Sequence, residues 1–163
     1  MLYACGHLLF KLERYAKAAE VFNRVLKLRH RHAAAGVGLA WSMYHLGNKR
    51  QALEELKSVR WWAEKAGIYQ LGLALQHLGH YYLLEANYHR AISYLRQAIK
   101  TNPVHYGPYL ELGRALVAIH GYGDALEAFE LARERLPGNV TDESLKELDD
   151  LIALAQSQLD ASA

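Results

Sequence analysis

The 163-residue chain contains a single cysteine, Cys5, so it can build neither an intramolecular disulfide framework nor a zinc site of several thiolates. Burial within an apolar first helix is the expectation for that thiol. Three prolines and twelve glycines are too few for a collagen-like chain or a flexible linker protein. No apolar run approaches the roughly 18 residues of a membrane span, so membrane insertion is not expected. The mildly apolar opening from Met1 to Phe10 has no basic leader and gives way at once to Lys11, Glu13 and Arg14, unlike a signal peptide. A cytoplasmic location is the resulting expectation. An excess of one charge is missing too, since 19 basic side chains face 17 acidic ones for a net +2. That balance does not call for a polyanion, and no nucleic-acid partner is expected.

Catalytic signatures are absent as well. The chain has no HExxH, no GxxxxGK[ST] or GxGxxG loop, and no GxSxG elbow. Nine histidines are present, yet no recognisable motif ties a carboxylate pair to them. Polar and packing roles are assigned to them, with no metal, no cofactor and no enzymatic activity expected. His30 and His32, with Arg24, Lys27, Arg29 and Arg31, gather positive charge toward a helix carboxyl end, where the helix dipole accounts for it.

What the sequence does contain is helical periodicity. Tyr15, Ala18, Ala19, Phe22, Val25 and Leu26 step by three or four, as do Ala91, Ile92, Leu95, Ala98 and Ile99. Valine and isoleucine never cluster as in a sheet. Gly47-Asn48, Gly79-His80, Asn102-Pro103, Gly121-Tyr122-Gly123 and Pro137-Gly138-Asn139 punctuate the stripes and read as turns. Pro108 fits the first turn of a helix. The chain is all-α.

The stripes also repeat. Ala91 to Ala125, Ala98 to Ala132 and Pro103 to Pro137 share one spacing, and Ala18, Phe22 and Val25 recur at the same spacing as Ala52, Leu56 and Val59. A constant period of this length is the signature of a repeat array built from helical hairpins. The last unit carries Tyr109, Leu112-Gly113, Tyr122, Ala125, Phe129, Ala132 and Pro137. These residues resemble the tetratricopeptide repeat, a pair of antiparallel helices with interlocking large and small side chains. The resemblance covers residues 1–139 and implies four helix pairs in a right-handed αα superhelix. The first pair is slightly truncated. Residues 140–163 follow as a C-terminal capping helix and tail, with Thr141 as its cap and Asp142 and Glu143 in its first turn.

The third pair is irregular, with about seven residues added to the common period. Leu71-Gly72, Leu75, Gly79 and Tyr81 look like the front of a repeat, but Leu78-Gly79 and Tyr82 also fit the normal register. A first helix longer by two turns and an extra bend over Tyr81 to Asn87 are both open.

In this family, successive first helices line a concave surface. The resemblance therefore implies a peptide-binding groove with Tyr3, His7, Phe10 and Lys11 on the first inner helix. Trp41, Tyr44 and His45 follow on the second. Tyr69, Leu73, Gln76 and His77 are candidates on the third, and Leu110, Arg114 and Val117 on the fourth. Groove exposure and core packing compete for Trp41 and Tyr44, while packing weighs more for Leu73, Leu110 and Val117. The Lys, Asn and Arg clamp by which some members hold a terminal carboxylate is absent, so apolar anchors suit this surface better. Trp61 and Trp62 point in different directions on one helix, so one is expected to bury and the other to form an outer patch; unusual packing between repeats weighs more for the pair than a homodimer contact, which is the alternative. The functional expectation is a scaffold or adaptor for an unidentified protein or peptide. Its alternatives are a chaperone-like subunit of a secretion, pilus or envelope assembly, and a self-associating structural subunit.

Overall fold

The computed structural model describes residues 1–138 and 140–162. Among these it contains nine helices and no strand: α1 (Leu2–Lys11), α2 (Tyr15–Leu28), α3 (Ala33–His45), α4 (Lys49–Ala63), α5 (Ile68–Leu84), α6 (Tyr88–Thr101), α7 (Tyr106–Ala118), α8 (Tyr122–Glu134) and α9 (Asp142–Ala161). The boundary expected at Asn139 lies outside the described residues. Two compact units, Met1–Leu78 and Gly79–Ala163, divide within α5.

In the first unit, α1, α2, α3 and α4 pack in sequence, and α1 also touches α3. Phe22, only 2% exposed, is the centre of a cluster with Ala18, Val25, Ala35 and Leu39. Its ring fits because two glycines flank it. A Cβ on Gly6 of α1 would stand 2.8 Å from the ring, and one on Gly38 of α3 would stand 2.5 Å away. Cys5 is exposed, which corrects the expectation of burial. Its equivalent one period on, Leu39, is buried in the cluster beside α2, whereas among the described residues no helix covers that side of α1.

In the second unit, α6 packs on α7, α7 on α8 and α8 on α9. Gly113 faces the Phe129 ring and Gly79 faces Leu95, repeating the offset between Gly6 and Phe22. Gly79 is therefore an interior residue of α5, not a turn. The Pro103 carbonyl accepts from Tyr109 Oη at 3.0 Å and from Arg135 Nε at 2.9 Å, and the same guanidinium lies over the Tyr109 ring. One oxygen thus ties the end of α6 to α7 and α8. Thr141 caps α9 by accepting from Ser144 N, with Asp142 and Glu143 in the first turn.

The irregular repeat takes neither of the two expected forms. Ala18 to Ala52 and Ala91 to Ala125 keep the common period, but the interval from Ala52 to Ala91 exceeds it. The surplus lies in helix: α4 has 15 residues against 14 in α2 and α6, and α5 has 17 against 13 in α3 and α7. Leu78-Gly79 holds the normal register, and α5 gains one turn at its amino end. Tyr81 to Leu84 remain helical, so no extra bend forms there.

The turns within the four pairs share one device. Glu13, Gly47, Ala86 and His120 occupy equivalent positions and all have positive φ, at 57°, 85°, 55° and 63°. Only Gly47 adopts that conformation without steric penalty. At the fourth turn His120, not Gly121, takes the left-handed geometry. Ala86→Gly is accordingly expected to stabilise the protein by about 1 kcal/mol in urea denaturation, since it relieves a left-handed alanine.

Candidate functional site

Most of the expected groove residues fall in the first unit, where Phe10, Trp41, Tyr44 and His45 join an aromatic patch. His45, at the end of α3, stacks flat on Tyr15 at 4.4 Å between centroids, and Phe10 meets both rings edge-on at 5.4 and 5.3 Å. Tyr44 continues the patch, 5.9 Å from His45 and 5.3 Å from Trp41. Lys49 places its ammonium 5.3 Å from the centre of the Tyr44 ring. Trp41 lies beneath, 9% exposed, and its Nε1–H donates to His77 Nδ1 at 2.9 Å. Gln76 is half-buried on the same helix as His77. His7 and Lys11 are exposed, and the His7 ring is 6.3 Å from Tyr3.

Tyr3 belongs to a different place. Its half-buried ring leans on Phe22 and stacks on His32 at 5.1 Å. His32 caps α3, its Nδ1 accepting from Ala35 N at 3.1 Å. Beside it a cavity of about 280 Å³ is lined by Arg31, His32, Ala33, Ala34, Tyr69, Gln70 and Leu73. Tyr69 is 71% exposed and lies on the added turn of α5, so the longer helix supplies one wall.

Leu110 and Arg114 lie in the second unit, both half-buried on α7. The Arg114 guanidinium donates to the Glu147 carboxylate on α9, so the cap occupies this cation. Trp62 is 8% exposed and Trp61 69%, which realises the expected split between a buried and an outer indole. Lys65 reaches over the Trp61 ring at 6.0 Å.

Tyr15, His32 and Lys49 escape sequence reading. Tyr15 belongs to the α2 packing stripe, and its stack with His45 joins residues with no local relation. Among the described residues, no group of three or more His, Cys, Asp or Glu side chains could hold a metal ion, and no helix is long and apolar enough to cross a membrane.

Helical hairpins that interlock small against large residues at one constant spacing define an αα-repeat class whose surfaces bind other proteins. Two tetratricopeptide-repeat family profiles match residues 9–74 and 77–140. The chain belongs to the tetratricopeptide-repeat family, and its fold class is the all-α repeat solenoid of that family. None of the curated proteins matches its sequence. Among solved structures, MamA from strain AMB-1 is 18% identical, with 98% of this chain and 88% of that one covered at a TM-score of 0.72. MamA 41-end from Desulfovibrio magneticus RS-1 is 27% identical over 82% of this chain and 73% of that one, at 0.62. A chain of the APC/C hetero-tetramer Cut9-Hcn1 is 17% identical and reaches 0.79, covering 98% of this chain but 30% of that one. Family membership supports a protein-interaction scaffold, and members of this family are generally not enzymes.

Proposed function

We propose that the chain is a cytoplasmic adaptor that binds an apolar peptide segment on the aromatic patch of its first unit, with the array over residues 1–139 as the binding part and residues 140–163 as its cap. The observation that carries this reading is the connected set Phe10, Tyr15, His45 and Tyr44, held from below by Trp41 and His77. Rings fixed by their neighbours lose little freedom on binding, and such anchors dominate peptide interfaces. The exposed thiol of Cys5 suits a reducing compartment. Trp41 and His77 serve in this reading as positioning residues, with Lys49 setting polarity at the edge. The remaining groove candidates on the first-unit part of α5 are secondary contacts.

Selection from a random peptide library tests the proposal. Retained peptides should carry aromatic or aliphatic anchors, and Tyr44→Ala or His45→Ala should each weaken them by about tenfold with helix content unchanged. Full affinity in both folded variants rejects the site.

A second reading, self-association, is favoured by the outer patch at Trp61, whose indole is 69% exposed. If this patch joins two copies, Trp61→Ser should lower the mass seen by light scattering over a concentration series. An unchanged mass removes Trp61 from the contact.

A further inference from the structure

The overall charge balance hides a sharp division. Residues 1–78 hold 12 Lys and Arg against 5 Asp and Glu, whereas α9 alone carries 6 acidic side chains against one Lys146. Residues 11–31 concentrate seven of those cations, opposed only by Glu13 and Glu20. None of the seven is ion-paired among the described residues.

Within that basic region a cavity of about 260 Å³, with mixed polar and apolar walls, opens between the start of α1 and the end of α2. Met1, Leu2, Tyr3, Val25 and Leu28 line it together with Arg29 and His32. Leu28 is 68% exposed at its edge. The side of α9 flanking its buried Leu148 and Ala155 has the complementary character. There Leu151 and Leu154 stand with Glu143, Glu147 and Asp150, three carboxylates against the single cation Lys146. Glu147 turns to Arg114, which leaves Glu143 and Asp150 without an ion pair among the described residues.

We propose that α9 of one copy docks in this cavity of a second copy, head to tail. Leu151 and Leu154 enter among Leu2, Val25 and Leu28, while Asp150 and Glu143 face Arg29 and the neighbouring cations. A second copy is the occupant because the chain itself carries both an acidic helix with exposed Leu154 beside half-buried Leu151 and a basic rim around an opening lined by Leu2, Val25 and Leu28. The two surfaces differ, so the contact is heterologous and copies add in series. The proposal uses neither the Tyr44 and His45 patch nor Trp61.

Sedimentation velocity of the full chain over a concentration series tests it. At low salt the average mass should rise with concentration, and high salt should weaken association by about tenfold or more, as expected for exposed charges across an interface. Asp150→Lys and Arg29→Glu, both at exposed positions, should each weaken association when alone, and an equimolar mixture should recover it. In the mixture every α9 can meet a cavity of opposite charge. Leu154→Ser removes no charge and should weaken association as well, which keeps the test sound if a charge variant folds poorly. Binding of library-selected peptides should be untouched by Asp150→Lys, so this proposal and the peptide reading fail separately. A monomer at every concentration overturns the proposal, as does an Asp150→Lys and Arg29→Glu mixture that fails to recover. Association that responds to Trp61→Ser but to none of these variants overturns it equally.

Discussion

Trp41→Ala is expected to lower folding stability by about 3 to 5 kcal/mol, read from guanidinium unfolding. The indole is 9% exposed, packs edge-on against Tyr44 at 5.3 Å and donates to His77 at 2.9 Å. Deleting it opens a cavity beneath the aromatic patch and strips a donor from the imidazole. Trp41→Phe retains a ring and loses the N–H, so its cost should be nearer to about 1 kcal/mol for the hydrogen bond plus a small packing term. Peptide affinity, measured by calorimetry on the folded fraction, separates the roles. Tyr44→Ala should reduce affinity with little loss of stability, and Trp41→Ala should do the reverse. A Trp41→Ala protein as stable as the native chain would remove the supporting role assigned to this ring.

Phe22→Ala should cost a comparable amount, about 3 to 5 kcal/mol, with a different spatial signature. The Phe22 ring fills the space that Gly6 and Gly38 leave open, so it joins α1 and α3 through α2. Neither glycine has a side chain to collapse into the vacated volume. Among the described residues α1 packs on α2 and α3, whereas α3 packs on α1, α2 and α4, so the amides of α1 should exchange faster than those of α3 in hydrogen-exchange measurements. Uniform acceleration across the first unit would show that α1 does not open by itself.

The repeat is legible because its spacing is set where helices touch. Ala18, Ala52, Ala91 and Ala125 are all buried at 0 to 1% exposure, and only small residues permit that approach, so the period survives in the sequence. The third frame is ambiguous for an equally physical reason. Leu71-Gly72 and Leu78-Gly79 are two helical turns apart and present nearly the same face. Only the fit of Gly79 against Leu95, a long-range contact, selects between them. The left-handed turns are hidden because Glu13, Ala86 and His120 are not glycines, and the conformation is imposed by the helices on either side. The candidate site is legible as a set of rings on α1 and α3. Burial of Trp41, occupation of Arg114 by Glu147 and the stack of Tyr15 on His45 depend on partners that local pattern does not name.

The added turn of α5 bears on how a repeat array can change without being rebuilt. Growth at the free end of a rod leaves every junction along its shaft in place, as Leu78 and Gly79 show by holding the common register. New surface, here Ile68 and Tyr69, is thereby introduced outside the interlock and is free to vary under selection for a ligand. Shortening that end by a full turn should be as harmless to the framework as its lengthening was, which makes the amino end of α5 a natural place to graft a different binding chemistry.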